Sequence, residues 1–466
     1  MKLNFNLHRQ LINHVHFIGI GGISMSAIAE VLLTLNYKVS GSDMKASKTT
    51  ERLKEKGIQI FIGHSPDHIS DCDLVVYTAA VKNDNAELLQ ARALGIPTID
   101  RAEMLGLLMK EFDNSIAVSG THGKTTTTSM ISLIMEHCNY NPTIMVGGEL
   151  DEIGGNLKIG GSQYFVTEAC EYVESFLKFY PKTAVILNIE EDHLDYFRDI
   201  HHIVDAFDKF ARLVPKDGHL IACSNDIHIQ SLLPRVQCQV VTFGVQSPAD
   251  YMAENIVYNE KGYPAFDVLY KEHTLSRIQL RIPGYHNIFN ALASFATCHT
   301  LGAPTEKIIE KLSQFKGTHR RFDILDTVHN ITVVDDYAHH PTEVKATLQA
   351  ASKYPHQNLW CIFQPHTYTR TKALLSEFGT AFQDADKIII ADIYAAREKD
   401  TGEVHSKDLV EKIQEKNKNA VYINEFDNIA SHIAENAEAN DLVLTMGAGD
   451  INKVGELIIE KLKAKG

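Results

Sequence analysis

The sequence predicts an α/β protein of three domains: a Rossmann-like N-terminal domain, a central α/β domain of P-loop type, and a C-terminal Rossmann-like α/β domain. Three observations carry this. The chain has 466 residues with 44% apolar content, too long for one ordinary core and long enough for two or three. Short β-branched runs alternate with helical patterns in two separate stretches, which is the rhythm of parallel sheets. Between them a glycine-containing loop follows a strand and opens a helix.

In residues 1–110 the runs VHFIGI, SAIAEVLLTL, KVSGSD, a charged helix, IQIF, DLVVYT and IPTID read as βαβ units in a doubly wound sheet. The polar stretch KEFDNS, residues 110–115, precedes a fresh strand, IAVSG, and sets the first boundary between 110 and 111. The central domain, 111–318, runs through VILNIE and the helix around residues 287–299 to the KGTH segment. In 319–466 the strands ITVVDD, LWCIFQP, KIIIADI, AVYI and DLVLTMG are each followed by a helical stretch. No period of 20 to 50 residues recurs, which excludes a solenoid.

A formal net charge of −14, with acids and bases interspersed, argues against general affinity for nucleic acid or an anionic membrane surface. The seven cysteines, Cys72, Cys138, Cys170, Cys223, Cys238, Cys298 and Cys361, form no CxxC pair and read as reduced thiols. No window offers about 20 uninterrupted apolar residues, so a soluble, cytoplasmic protein is expected.

Ser119-Gly120-Thr121-His122-Gly123-Lys124-Thr125-Thr126 sits between the strand IAVSG and the helix TTTSMISLIM. Such a loop turns backbone N–H groups and a helix N-terminus toward a phosphate; the lysine adds charge and the threonine hydroxyl can hold Mg²⁺. It predicts a nucleoside triphosphate site. The general P-loop has a glycine where this chain has Val118. Gly19, Gly21, Gly22 and Ser24 follow the first strand, and Asp43 ends the second, as in a dinucleotide fold whose acid meets a ribose hydroxyl. Ser24 replaces the third glycine, and this loop alone fits NAD as well as another nucleotide.

Glu168 follows YFVT, and the run Asn188 to Asp195, with His193, follows VILNI. Strand C-termini gather at the ligand edge of such sheets, so these groups can converge on Mg²⁺ beside a triphosphate. Glu174, Glu190 and Glu191 read as solvated loop residues. Asn287 and Asn290 lie one turn apart, where both amides can meet a purine edge, or Asn287 can be a cap. The forks of Arg320 and Arg321 suit phosphate or carboxylate. Asp335, Asp336, Tyr337, His339 and His340 precede a proline-started helix, and His366 and Arg370 follow the strand LWCIF.

Taken in order, GIGGISMS, SGSD, GTHGKTTT, EACEY, NIEEDHLDYF, GYHNIFNALA, GTHRRFD, DDYAHHPTE, FQPHTYTR and MGAGDI resemble the Mur ligase family over nearly the whole chain. DDYAHHPTE and FQPHTYTR together are similar to its alanine-adding branch; the branch that attaches whole murein peptides shares the first tract and differs around the second. The resemblance implies a central ATPase domain and an ATP-dependent ligase that joins the lactyl carboxylate of UDP-N-acetylmuramate to L-alanine in peptidoglycan precursor synthesis. It implies that Gly19, Gly21, Gly22, Ser24 and Asp43 hold the UDP-sugar. Gly120, Thr121, His122, Gly123, Lys124, Thr125, Thr126, Asn287, Asn290, Arg320 and Arg321 would hold ATP. Thr125, Glu168 and His193 would hold Mg²⁺, and Tyr337, His366 and Arg370 the amino acid. Lys124, His193, Arg321 and Arg370 are the expected catalytic residues. Other family members carry a carbamylated lysine after the DH motif; here Phe207 falls at that place and Lys209 two residues on, so none is assigned. A monomer or weak homodimer is expected.

Overall fold

The computed structural model describes residues 6–7, 10–78, 80–416 and 419–465. Three sheets follow one another along the chain. The first has five parallel strands in the spatial order Gln59–Ile62, Lys38–Asp43, His14–Ile18, Leu74–Tyr77, Thr98–Asp100. The chain starts in the middle and winds both ways, so the loops after His14–Ile18 and Leu74–Tyr77 open at one edge, where ligands bind in this topology.

The second sheet has ten strands. Asn114–Ser119 lies between Tyr164–Glu168 and Thr183–Ile186, parallel to both, and His219–Cys223 and Gln239–Val245 extend the parallel run. One edge is closed by the antiparallel strand Gly155–Lys158, the other by the meander Tyr251–Tyr258, Pro264–Tyr270, His273–Gln279. The sequence signals no strands in this meander, for a physical reason. Tyr251–Tyr258 buries alternate residues on one face only and lacks the continuous apolar run of a strand covered on both faces. The third sheet has six strands, parallel except for the edge strand Asp323–Val328, which was likewise not apparent as a strand. Its two central strands, Leu359–Phe363 and Leu442–Met446, are buried at every residue.

The apolar interior is not divided three ways. A single cluster runs from Phe17 and Leu105 of the first sheet's layers to Ile116 and Phe176 of the second. The third sheet keeps its own clusters, one on each face. The first two units are therefore cemented by hydrophobic burial, while the third meets them largely through polar contacts. Among the described residues no helix is long and apolar enough to cross a membrane.

The helix Arg101–Met109 makes the joint between the first two sheets, packing on the segment Tyr172–Lys178, with Asp100 and Lys178 ion-paired beside it. Gly106 is required there, because a Cβ at that position would run into the Lys178 carbonyl oxygen. Glycine to alanine inside a helix ordinarily gains up to about 1 kcal/mol. Here the clash reverses the sign, and Gly106→Ala is expected to lower stability by roughly 2 kcal/mol. Denaturant unfolding of the two proteins checks this; an unchanged or raised midpoint would contradict the docking of this helix.

Candidate active site

The loop after Asn114–Ser119 is held open by two glycines at positive φ, Gly120 at 142° and Gly123 at 85°. Gly123 leads directly into the helix Lys124–His137. Asn188 braces the loop from the neighbouring strand end: its Oδ1 accepts from His122 N at 2.8 Å and its Nδ2 donates to His122 O at 3.1 Å. Thr121 N donates to Asn188 O at 3.1 Å and Glu190 N to Thr121 Oγ1 at 2.9 Å, so the loop is rigid before any anion arrives.

Lys124 Nζ donates to the carbonyls of Gly120 at 2.5 Å and Thr121 at 3.1 Å and to Glu171 Oε2 at 3.0 Å. Burial by itself would lower the lysine pKa, but the Glu171 carboxylate outweighs it and the net shift is upward, which secures the positive charge. Glu168 lies on the other side of the helix start, accepting from Gly147 N at 2.6 Å and Thr125 Oγ1 at 3.1 Å. Burial raises its pKa, so an approaching cation would favour the ionised form. A hydroxyl beside a carboxylate is a hard oxygen donor pair of the kind Mg²⁺ takes. His193, at a positive φ of 53°, packs its ring tilted against Tyr172 at 4.6 Å and brings Nε2 to 3.8 Å from Glu171 Oε1.

Two cavities bear on the site, and the loop itself lines the first. The first, about 330 Å³, is lined by His122, Gly123 and Thr126 on one side and by Asn287, Asn290 and Arg321 on the other. Tyr285 caps the helix His286–Thr300, so Asn287 is not the cap. Its Nδ2 donates to Pro283 O at 2.7 Å, and Asn290 Nδ2 donates to Asn287 Oδ1 at 3.0 Å, placing both amides on one face. Asp336, also in this wall, is pushed up to about 6 by burial.

The adjacent arginines part company. Arg321 faces the cavity, whereas Arg320 turns to the third sheet, donating through Nε to Asp335 at 2.9 Å and through Nη2 to Gly447 O at 2.7 Å. Its positive φ of 60° produces that divergence. Tyr337 lies under both guanidinium groups, 4.9 Å from Arg320 and 5.2 Å from Arg321, and does not line the second cavity.

The second cavity, about 780 Å³, is walled by all three units: Thr78 and Arg101 from the first, Cys170 and His193 from the second, His366 and Arg370 from the third. Arg370 donates to Asp192 Oδ1 through Nε at 3.0 Å and Nη2 at 2.9 Å, and to His366 Nδ1 through Nη1 at 3.1 Å. Burial would raise the Asp192 pKa, but Arg370 holds it well below the usual carboxylate range. Burial and the same guanidinium depress His366 to about 4, so its ring is neutral at pH 7.

Gly19, Gly21, Gly22 and Ser24 sit at the C-terminal edge of the first sheet, at the entrance to the helix Ile23–Thr34. Asp43 Oδ2 accepts from Gly21 N at 2.9 Å, so the acid first of all shapes the glycine loop. Thr78 and Arg101, along the same sheet edge, lead from this loop to the second cavity.

Several participants went unassigned in the sequence. Glu171 is only three residues beyond Glu168, and Glu343 is the third residue of the helix begun by Pro341. Glu343 Oε1 lies 3.1 Å from His122 Nδ1. Burial would lower the His122 pKa, but Glu343 and Glu190 raise it to about 10. Glu190 is not an idle loop residue, since it accepts from Thr342 Oγ1 at 2.7 Å across the interface with the third sheet. Glu174 pairs with Lys209 at 2.9 Å, and Phe207 is fully buried against Phe176.

Comparison with known proteins covers every part of this arrangement. Residues 118–298 match the Mur ligase middle domain, 14–113 the domain described as Mur ligase family, catalytic domain, and 320–449 the Mur ligase, glutamate ligase domain. A UDP-N-acetylmuramate–L-alanine ligase from Acetivibrio thermocellus is 58% identical over 96% of this chain and 96% of its own. The protein of that name from Alkaliphilus metalliredigens is 55% identical over 98% and 99%. The crystal structure of UDP-N-acetylmuramate-alanine ligase from Thermotoga maritima superposes with a TM-score of 0.81 at 31% identity, covering 97% of this chain and 100% of that one.

The Lys124–Glu171 pair generates a prediction that needs no substrate. Leaving one buried charge without its partner costs roughly 3 kcal/mol, so Glu171→Gln and Lys124→Met should each destabilise by about that amount. The double variant should lose much less than the sum of the two, giving a coupling of about 1.5 kcal/mol or more. Denaturant unfolding of all four proteins measures it, and strictly additive losses would show that the two charges do not interact.

Proposed function

The chain belongs to the Mur ligase family, and from that premise we propose that it is an ATP-dependent ligase that joins L-alanine to the lactyl carboxylate of UDP-N-acetylmuramate. One observation carries the reading: His122 and Gly123 of the phosphate loop line the first cavity, while Lys124 of the same loop reaches Glu171, whose chain neighbours Cys170 and Tyr172 line the second. A triphosphate lying along the loop from the first cavity presents its γ-phosphate to a carboxylate in the second.

In this assignment the adenine lies against Asn287 and Asn290, and Arg321 reaches the phosphates, while Arg320 supports the third sheet. The UDP group takes the first sheet's edge, from Gly19, Gly21, Gly22, Ser24 and Asp43 toward Thr78. Mg²⁺, held by Thr125 and Glu168 with His193 at a second position, would neutralise charge on the phosphates. The carboxylate oxygen of the sugar attacks the γ-phosphorus, ADP leaves, and an acyl phosphate forms. Lys124 exchanges its contact with Glu171 for the transferring phosphoryl group and stabilises the developing charge. The neutral amine of alanine then attacks the acyl carbon, and the tetrahedral intermediate expels phosphate to leave the amide. His366 and the outer edge of Arg370 orient the amino acid, with Asp192 fixing that guanidinium from behind. Enclosure by the third domain keeps water from the acyl phosphate.

The three sheets, with strands spanning 14–100, 114–279 and 323–446, support domains of 1–110, 111–318 and 319–466. We place the enzyme in the cytoplasm, acting as a monomer or weak homodimer in peptidoglycan precursor synthesis.

The test is phosphate release by purified protein with ATP, Mg²⁺, UDP-N-acetylmuramate and each amino acid in turn. Release is expected with L-alanine and only when all components are present; release with a peptide in preference to alanine would overturn the assignment. Arg370→Lys keeps the charge but loses the fork, and its KM for L-alanine should rise at least tenfold, about 1.4 kcal/mol, with the KM for ATP unchanged. An unaltered alanine KM would remove Arg370 from the amino-acid site.

A further inference from the structure

His122, Glu190 and His340 each bring one potential ligand atom to within 4.8 Å of the others, at the seam between the second and third sheets. The two rings tilt against each other with centroids 4.9 Å apart. His122 and Glu190 also line the cavity assigned to ATP, but the ligase chemistry gives none of the three a metal to hold. We propose that it is a Zn²⁺ site bridging the central and C-terminal domains.

The surroundings orient each ligand toward a shared ion. His122 Nδ1 faces Glu343 Oε1 at 3.1 Å, which keeps a proton on that nitrogen, and Nε2 faces Glu190, so a metal ion binding there displaces the Nε2 proton. That Nε2 is buried and has no hydrogen-bond partner. A carboxylate behind a histidine, on the nitrogen opposite the metal, is the arrangement that fixes the tautomer and strengthens the ligand. His340 Nε2 donates to Glu191 O at 3.0 Å, which leaves the lone pair on Nδ1; that nitrogen caps the helix begun by Pro341, accepting from Thr342 N at 3.3 Å, a long bond that an ion would displace. Glu190 is oriented by Thr342 Oγ1 at 2.7 Å and stands 3.5 Å from His122 Nε2. Two imidazoles and one carboxylate, with a position left for water, suit Zn²⁺ and exceed what Mg²⁺ prefers.

Zinc ligand atoms in a tetrahedral site lie roughly 3.3 Å apart, and the atoms of the trio lie within 4.8 Å of one another, so binding brings them closer together. His340 belongs to the third sheet's unit, whereas His122 and Glu190 belong to the second. The contraction therefore pulls the C-terminal domain onto the phosphate loop. Thr125, at the start of the helix Lys124–His137, and Glu168, at the end of the strand Tyr164–Glu168, are not part of the trio, so this ion does not replace the one proposed there.

The experiment is a zinc titration of the full-length protein, without nucleotide or Mg²⁺, in competition with a chromophoric chelator. Wild-type protein should take up one equivalent with micromolar or tighter affinity, and its melting temperature should rise with zinc. Glu190→Gln, which keeps the side-chain shape, and His340→Ala should each weaken that equivalent at least tenfold, while Glu168→Gln leaves it intact. The melting curves of the metal-free variants establish that they are folded. Absence of zinc uptake by wild type, or uptake that survives both Glu190→Gln and His340→Ala, overturns the proposal, the latter by placing the ion on the cysteines or another group.

Discussion

The ion pair between Asp192 and Arg370 is the contact on which the composite site depends. The third sheet has separate apolar clusters, so hydrophobic burial does not bind it to the rest as it binds the first sheet to the second. What holds it is a seam of polar contacts: Arg370 on Asp192, Thr342 on Glu190, His340 on the Glu191 carbonyl, His122 on Glu343. Buried ion pairs contribute little net stability because desolvation offsets attraction, yet they specify geometry, since a misplaced partner leaves a charge unpaired. A domain docked in this way can leave and return to one place. That behaviour suits an enzyme that must admit three substrates and then exclude water.

Charge at the seam follows from the same constraint. Glu343 and Glu190 hold a proton on His122, and Arg370 keeps His366 neutral while it keeps Asp192 ionised. The loop proposed to receive the phosphates is thus already surrounded by fixed charges. Lys124 is held by Glu171 and two carbonyls at a position where an incoming phosphate can replace the carboxylate as its partner. Preorganisation of this kind lowers the cost of charge development in the transition state.

Strands such as VHFIGI and DLVLTMG were legible because each is a short apolar run closed by a glycine or an acid, whereas the parallel strands Thr143–Leu150, His219–Cys223 and Gln239–Val245 were not apparent. The meander from Tyr251 to Gln279 was not: its outer strands are partly exposed and diluted by polar side chains, while its mostly buried middle strand, Pro264–Tyr270, opens on a proline. In the site, motif spacing led to Thr125 and Glu168, whose oxygens stand 3.1 Å apart. Spacing could not tell Arg320 from Arg321, since two adjacent arginines read alike and only the folded chain sends one to Asp335 and the other into the cavity. Nor could it show Glu171, Glu190 and Glu343 as partners of Lys124 and His122. Those pairings join segments 47 to more than 150 residues apart, and a charged residue after a strand reads the same whether it is solvated or paired.

The central claim is that phosphoryl transfer across the loop precedes and does not require the amino acid. Wild-type protein given ATP, Mg²⁺ and UDP-N-acetylmuramate, with no amino acid, is quenched with borohydride, which reduces an acyl phosphate to the alcohol. The account predicts that the lactyl carboxylate is recovered as the alcohol in amounts comparable to the enzyme. No alcohol under these conditions, from a preparation that turns over fully once alanine is added, would contradict it.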